Sequence, residues 1–232
     1  MATTSRASRS QNANLSQATQ QPIREVDDKV RAILNYILDH TAYKIPIKDK
    51  DLVPAAGDRN ELKKRLPLVT ELLAKRFGIL LTPLDAGSKT FVCIAEEPMA
   101  SIHELTPAQR PQFTLLYIVL MYIFLRGNRI EDSKLYGMLE MLNIQDEEHG
   151  YFGANPRKQI DETFVKQQYL KRERSQLSAY DDPKTFFLWG PRAKAEFTYE
   201  QIVQFASRLL NQHPKIFDHH LTMAQEGVHA EQ

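Results

Sequence analysis

The chain has 232 residues and a net charge of +1, with 30 Lys and Arg against 29 Asp and Glu, and 42% of its residues are hydrophobic. These proportions are typical of a globular protein and exclude a chain that is disordered throughout, and the balanced charge argues against nucleic-acid binding through a basic tail. The single cysteine, Cys93, excludes an internal disulfide framework and a multi-cysteine zinc module, and fits a cytosolic or nuclear chain.

The N-terminal residues 1–24 are predicted to be a disordered tail. The first 22 residues are mainly Ser, Thr, Ala, Gln and Asn and include a single leucine. Such a segment cannot bury enough apolar surface to offset the entropy cost of ordering. It also lacks the apolar central run that a secretory signal requires.

A first module is predicted over residues 25–96. Its predicted elements are, in order, helices at 25–41, 48–55 and 60–77 and strands at 79–84 and 90–95. Pro67 is expected either to kink the third helix or to begin a new one, and Gly78 is expected to end it. Three helices followed by a β-hairpin are the layout of a winged helix.

A second module is predicted over residues 113–215, after a proline-containing linker at 97–112. Its predicted elements are helices at 113–125, 130–142 and 155–170, a strand at 185–189 and a helix at 199–210. The first helix is apolar except for Thr114, but it is shorter than the roughly 20 residues that a membrane span requires, so we expect a buried core helix and no membrane contact. Residues 216–232 are expected to be a flexible tail. Because the same layout occurs twice, the predicted fold is mainly α with small β-hairpins (α+β), arranged as tandem winged-helix modules.

The sequence offers no pattern typical of an enzyme. The seven histidines do not fall at the four-residue spacing of a helical zinc site, and no phosphate-binding or nucleophile-elbow motif is present. Cys93 lies in an apolar strand without an identifiable base, and a cysteine of that kind is far more often a core residue than a nucleophile. We therefore expect no catalytic activity, no cofactor and no metal.

Charge is distributed unevenly along the chain. Residues 131–150 sum to −5, whereas 156–194 carry nine bases against five acids, and 60–76 sum to +3. Both basic stretches cover the third helix and wing of a module, the elements that meet DNA in helix-turn-helix relatives. The alternative, a solvated helix face, stays open. The candidates for DNA phosphate contact are Lys158, Lys166, Lys171, Arg172 and Arg174.

The first helix carries a second signal. Val26, Val30, Ile33 and Ile37 follow one line of the helix, and Leu38 lies at the margin of the apolar stripe, beyond Leu34. A wide apolar face could pack under the wing, or its margin could face a partner protein. Both interpretations remain open from periodicity alone.

Several segments of the chain resemble the melanoma-antigen (MAGE) homology domain, and the resemblance covers about residues 25 to 215. The most specific is Phe187-Leu188-Trp189-Gly190-Pro191-Arg192-Ala193 followed by Glu196. The others are Tyr151-Phe152-Gly153, Pro156-Arg157-Lys158, Phe164–Leu170, the apolar helix Leu115–Leu125 with Arg126-Gly127-Asn128, and Arg76-Phe77-Gly78.

The resemblance implies a tandem winged-helix protein without catalytic activity that binds a RING-type ubiquitin ligase and enhances or directs it. The ancestral-type member of the family is a subunit of the structural-maintenance-of-chromosomes five/six complex, in which it pairs with a RING-like subunit and a kleisin and binds double-stranded DNA. This chain, with little outside the homology domain, resembles that member. The resemblance thus implies a nuclear protein of DNA repair, with a cytoplasmic pool left open and a stand-alone winged-helix transcription factor as the alternative.

The family's dileucine, which contacts the RING partner, aligns with Ile37-Leu38 when Ile45-Pro46-Ile47 serves as the anchor. The resemblance therefore implies a partner surface at Ile37 and Leu38, and helical spacing adds Leu34. The chain departs from the family pattern in two respects: isoleucine replaces the first leucine, and one extra residue lies at Ala154-Asn155.

Overall fold

A computed structural model describes residues 27–85, 87–97, 105–144, 148–175 and 182–226. The predicted tail at 1–24 lies outside the described residues, as do residues 98–104 of the predicted linker and the last six residues of the chain.

The described part of the first module has the element order of a winged helix. In chain order, its elements are α1 (Asp28–Thr41), β1 (Ile47–Lys48), α2 (Asp49–Ala56), α3 (Arg59–Phe77), β2 (Ile79–Pro83) and β3 (Thr90–Ala95). The strands form an antiparallel sheet in the order β1-β3-β2. The short strand β1 was not expected from the sequence, because two residues carry no readable alternation.

Helix α3 runs without interruption through Pro67, so of the two expected outcomes at this residue, a kink or a new helix start, the new start is absent. Pro67 lies on the exposed face of the helix, where water can satisfy the carbonyl that loses its N–H donor. The ends of the helix follow the sequence signals. Asp58 accepts from the N–H groups of Asn60 and Glu61 at 2.7 and 2.9 Å, and Gly78 ends the helix in the left-handed conformation.

The second module repeats the same order. Its elements are α4 (Arg110–Leu125), β4 (Arg129–Glu131), α5 (Asp132–Met141), α6 (Pro156–Lys158) continuing as a π-helical segment (Gln159–Phe164), β5 (Leu170–Ser175) and β6 (Lys184–Trp189). The sheet order β4-β6-β5 matches that of the first module. The predicted α+β fold of tandem winged-helix modules is therefore confirmed.

The boundaries in the second module differ from the expected ones. The predicted helix at 130–142 is divided into β4 and α5, α4 begins three residues inside the predicted linker, and β5, the first strand of the predicted second hairpin, had no predicted bounds. The charged sequence of β5 has little intrinsic strand preference, but it pairs along its whole length with β6, from Leu170 opposite Trp189 to Ser175 opposite Lys184. Pairing with a neighbouring strand overrides local preference here.

The C-terminal part of the chain is more ordered than expected. Its elements are α7 (Pro191–Glu196), α8 (Tyr199–Leu210), a 3₁₀ turn (Pro214–Phe217) and α9 (Asp218–Gln225). Phe217 and Ala224 are buried in the core of the second module. Residues 216–226 therefore belong to that module, and the boundary predicted at 215 lies too early because their apolar side chains cover α4 and α8.

Each module has its own apolar core among the described residues. In the second module the core is built around α4, in which Leu115, Val119, Leu120 and Ile123 are fully buried. The indole N–H of Trp189 donates to the Leu120 carbonyl at 2.9 Å and so satisfies both groups inside the core. Helix α4 is thus the expected core helix, and within the described residues no helix has the length and apolarity to cross a membrane.

Candidate partner and nucleic-acid surfaces

The structure divides the predicted partner surface on α1. Ile37 is 0% exposed and Leu34 is 8% exposed, and both belong to the core of the first module. Leu38 is half-buried at the edge of that core. The side chains of Leu34 and Ile37 therefore have no access to a partner in this conformation, and Leu38 is the candidate contact that helix geometry leaves at the surface.

Helix α1 is fixed to α3 by an ion-pair network. Asp27, before the first turn of α1, accepts from the Lys29 N–H at 3.2 Å and from Nε of Arg65 at 2.6 Å. Arg65 also pairs with Glu61 on its own helix. These bonds to Arg65 lower the pKa of both carboxyl groups. Helix α1, which carries the candidate contact Leu38, therefore has a defined position on its module.

Most bases of the first basic stretch, 60–76, are neutralised by neighbouring carboxylates. On α3, Lys64 pairs with Glu61 at 3.1 Å and Lys75 pairs with Glu71 at 2.7 Å. Arg65 is committed to Asp27 and Glu61 as well. Of the two interpretations left open by the sequence, these contacts favour a solvated helix face for this stretch.

The basic helix of the second module is arranged differently. Lys158 and Lys166 are exposed, and Glu162 lies exposed between them at a spacing of four residues to each side. Within the described residues neither lysine has an ion-pair partner. The outward face of this helix therefore offers two unpaired cations separated by one carboxylate.

The wing of the second module supplies the other three candidates, all of them on β5. Lys171 pairs with Glu173 at 2.8 Å, and Arg172 lies 3.7 Å from Asp161 of the π-helical segment. Arg174 has no ion pair with any other described residue. The Arg172–Asp161 pair joins the wing to the basic helix, so the predicted DNA candidates share one helix-and-wing unit, in which three cations are unpaired and two are paired.

Arg192 is the most deeply buried charged side chain among the described residues, and its burial was not predicted from the sequence. Arg192 on α7 was counted among the bases of residues 156–194, but it is 1% exposed and so cannot contact phosphate. Its guanidinium donates to three backbone carbonyls: Nε to Gln167 at 2.8 Å, Nη1 to Cys93 at 2.9 Å and Nη2 to Lys44 at 2.9 Å. Gln167 belongs to the second module, and Cys93 and Lys44 belong to the first.

Gly190 allows Arg192 to reach this position. The N–H of Gly190 donates to the Tyr169 carbonyl at 2.7 Å, and a Cβ at Gly190 would lie only 2.2 Å from the Gln168 carbonyl oxygen. Pro191 then begins α7, a position where its missing N–H has no cost. The segment Gly190-Pro191-Arg192 thus places the first turn of α7 next to the end of the basic helix. In this position the side chain of Arg192 lies between the two modules.

A second layer of polar contacts surrounds Arg192. Nζ of Lys44 donates to Oη of Tyr169 at 2.8 Å and to Oε1 of Glu196 at 3.1 Å, and Oη of Tyr169 donates to Oε2 of Glu196 at 2.6 Å. Burial lowers the pKa of Lys44 and raises that of Tyr169. The same lysine lies 4.2 Å from the ring centre of Phe113 and lines a cavity of about 190 Å³ between the modules.

Two other kinds of group could have supported catalysis: the Cys93 thiol and a cluster of metal-ligating side chains. Burial raises the pKa of the Cys93 thiol to about 11, which disfavours the reactive thiolate. Within the part of the chain that the structure describes, no three His, Cys, Asp or Glu side chains are grouped as metal ligands. The arrangement offers two candidate binding surfaces, which are the Leu38 region of α1 and the basic helix and wing of the second module, together with a polar junction between the modules.

Comparisons with known proteins identify the relatives of this chain. The family model described as the MAGE homology domain matches residues 8–200. The chain is 33% identical over 216 residues to the mouse protein "Non-structural maintenance of chromosomes element 3 homolog", covering 90% of this chain and 76% of the relative. The human protein of the same name is 32% identical over 83% of this chain and 64% of the relative.

A solved structure is similar over nearly the same region. A chain from the "Nse1-Nse3-Nse4 complex" matches with a TM-score of 0.76 and 26% identity, covering 86% of this chain and 97% of that chain. The family match, the identity to these relatives and the shared architecture agree with one another. The chain belongs to the MAGE homology domain family.

Proposed function

We propose that the protein is a non-catalytic scaffold subunit of a structural-maintenance-of-chromosomes five/six complex, that it binds a RING-type ubiquitin ligase subunit and a kleisin, and that it serves DNA repair in the nucleus. The observation that carries this proposal is the similarity to a chain from the Nse1-Nse3-Nse4 complex, over 97% of that chain. Identity of 32–33% to two proteins named as element 3 homologs supports the same assignment.

Helix α1 is the proposed contact with the RING subunit. Leu38 is accessible at the edge of the first core, and the ion pairs of Arg65 hold the helix in place. A partner that covers Leu38 would gain the burial of a leucine, worth about 1.5–3 kcal/mol for a fully exposed side chain and less for this half-buried one. We also propose that binding here enhances the activity of the ligase.

The basic helix and wing of the second module are the proposed contact with double-stranded DNA. The cations Lys158, Lys166 and Arg174, which have no ion pair among the described residues, suit phosphate groups, and such contacts would give affinity without sequence preference. Reading bases would instead require Arg, Asn or Gln side chains presented together to the base edges. The exposed line of the helix carries Lys158, Glu162 and Lys166, so it favours non-specific binding over the alternative, a stand-alone transcription factor.

Affinity purification of the tagged chain from nuclear extract tests the assignment to a complex. Recovery of a RING subunit and a kleisin together would support it, and recovery of neither would remove it. Ubiquitin transfer by the RING subunit, measured with and without this chain, tests the enhancement. Titration against unrelated duplexes tests the DNA contact: equal affinities with a steep salt dependence support phosphate binding, whereas strong preference for one sequence would favour the transcription factor.

A further inference from the structure

We propose that Arg192 is a latch that fixes the relative orientation of the two modules, so that the modules can separate without either one unfolding when this residue is altered. Arg192 would thus be a positioning residue whose role differs from that of the basic residues around it in sequence. The proposal concerns the junction between the modules and goes beyond the binding functions proposed above.

The two modules do not share one apolar core. The described core residues of the first module and those of the second form separate clusters. Each cluster contains the helices and strands of its own winged helix. A shared apolar core therefore does not hold the two modules together, and the junction needs its own set of interactions.

The polar contacts at the junction converge on Arg192. Its two terminal nitrogens donate to carbonyls of the first module, at Cys93 and Lys44, while Nε donates to Gln167 of the second. Nearby, the side-chain amide of Gln167 donates to the Tyr43 carbonyl at 3.2 Å. One side chain thus connects a strand of the first module, the segment after α1 and the end of the basic helix.

Among the basic side chains, only arginine fits the three backbone carbonyls at this junction. A guanidinium presents its donors in a rigid planar fork, whereas a lysine carries a compact ammonium on a flexible stem. The cost of burying the charge is offset by three carbonyl acceptors and by Glu196, whose carboxylate lies 3.8 Å from Nη1. Replacement by lysine would leave at least one buried carbonyl without its donor and would loosen the junction.

The latch also lies between the two proposed binding surfaces, a statement that rests on the proposed function. Lys44 follows α1 by three residues, and Tyr169 immediately precedes the wing strand β5. These two side chains are bonded to each other beside Arg192. The junction therefore sets the position of the Leu38 surface relative to the basic wing.

Distance measurements by pulsed electron spin resonance test the latch in the full chain. Spin labels would be placed at Lys63→Cys on α3 and Gln204→Cys on α8, both exposed sites on helices, in a background with Cys93→Ser. We expect one narrow distance distribution in this background. Arg192→Lys should broaden or split the distribution, and Arg76→Lys, the same change at an exposed arginine, should leave it narrow.

A purely stabilising role for Arg192 gives a different result. In that case Arg192→Lys would lower the melting temperature while the folded protein kept the narrow distribution, and the latch would be overturned. If Arg192→Lys does not fold, Arg192→Gln decides, because it removes the guanidinium that reaches the Cys93 and Lys44 carbonyls and leaves no buried charge at this position. Broadening in Arg192→Gln would support the latch, and an unchanged distribution would overturn it.

Discussion

Ile37 and Leu38 are adjacent on α1, yet the structure gives them different roles. Ile37 is fully buried and Leu38 is half-exposed. Ile37→Ala should lower the free energy of unfolding by about 2–5 kcal/mol, because it leaves a cavity in the first core. Leu38→Glu should cost less, because the new carboxylate can reach water. Urea denaturation of both variants measures the difference, and equal losses would contradict this division of roles.

Cys93 supplies a probe of folding at a single site. Burial raises the pKa of its thiol to about 11, so at pH 8 the thiolate should be about two orders of magnitude scarcer than in an unfolded chain. Alkylation by iodoacetamide should therefore be slower in the folded protein by about that factor. The urea-unfolded chain is the control, and equal rates would show that the thiol is accessible and unperturbed.

The same pKa shift predicts the direction of one pH effect on stability. Between the ordinary thiol pKa and about 11, the unfolded chain has lost the proton that the folded chain retains. The free energy of unfolding therefore contains a contribution from Cys93 that is present below the ordinary thiol pKa and is lost as the pH rises. Cys93→Ser should remove this part of the alkaline decline, and an unchanged decline would contradict it.

At single positions, the sequence predicted the partner side chains only in part. Helical periodicity correctly placed Leu38 at the margin of the apolar stripe, but alignment to a family dileucine could not show that Ile37 faces inward. Arg192 was not predictable from local sequence, since its acceptors at Cys93 and Lys44 lie 99 and 148 residues away along the chain. In a sequence, an arginine that is buried in the fold cannot be distinguished from an exposed one until the segments that pack around it are known.

At the scale of elements, the proposed contact with double-stranded DNA involves the wing and the basic helix of the second module. Replacing Lys158, Lys166 and Arg174 by Gln should lower the affinity for any duplex. It should also reduce the dependence of log affinity on log salt by about 2.7, since each phosphate that a cation neutralises adds about 0.9 to this slope. Fluorescence anisotropy across a salt series measures the change.

A matched control removes three charges from the other module. Lys63, Lys64 and Lys75 all lie on α3, and two of them are paired with carboxylates. Their replacement by Gln changes the net charge equally but should leave the salt slope nearly unchanged. An equal effect of the two triple variants would indicate that net charge, rather than the second module, determines DNA binding.

Helix α7 depends on a close approach at Gly190, the residue that immediately precedes it. Gly190→Ala would place a Cβ 2.2 Å from the Gln168 carbonyl oxygen, so the helix start must move and the protein should lose stability. Gly78→Ala is the matched control, because no atom lies within 4 Å of its added Cβ and only the left-handed backbone is strained. Thermal melts should show a larger loss for Gly190→Ala, and a smaller one would argue against tight packing there.

Elements with strong local signals were predictable, and those made by pairing were not. Helix α3 has a capping Asp58 and a terminal Gly78, and both signals held. Strand β5 consists mainly of charged residues and has no β-branched residue, and it forms because β6 provides a partner along its length. Helix α9 was expected to be part of a flexible tail, because it packs against α8 and against α4, which is distant from it in sequence.

At the scale of the molecule, two winged helices with separate cores are held together by a small polar junction. The repeated order of elements was readable from the sequence, because each module has its own helices and hairpin. The junction was not readable, because its bonds join Gln167, Lys44 and Cys93 across the whole chain. The proposed binding surfaces belong to different modules, so their relative position depends on that junction.

The mass of a reconstituted assembly is the most direct test of the proposed function. The chain would be co-expressed with the RING subunit and the kleisin of its organism, and the purified product weighed by native mass spectrometry. We expect one complex with a single copy of each subunit. Leu38→Glu should lose the RING subunit, and Leu209→Glu, the same change at an exposed leucine on α8, should retain it. If this chain remains alone with both subunits present, the assignment to such a complex is wrong.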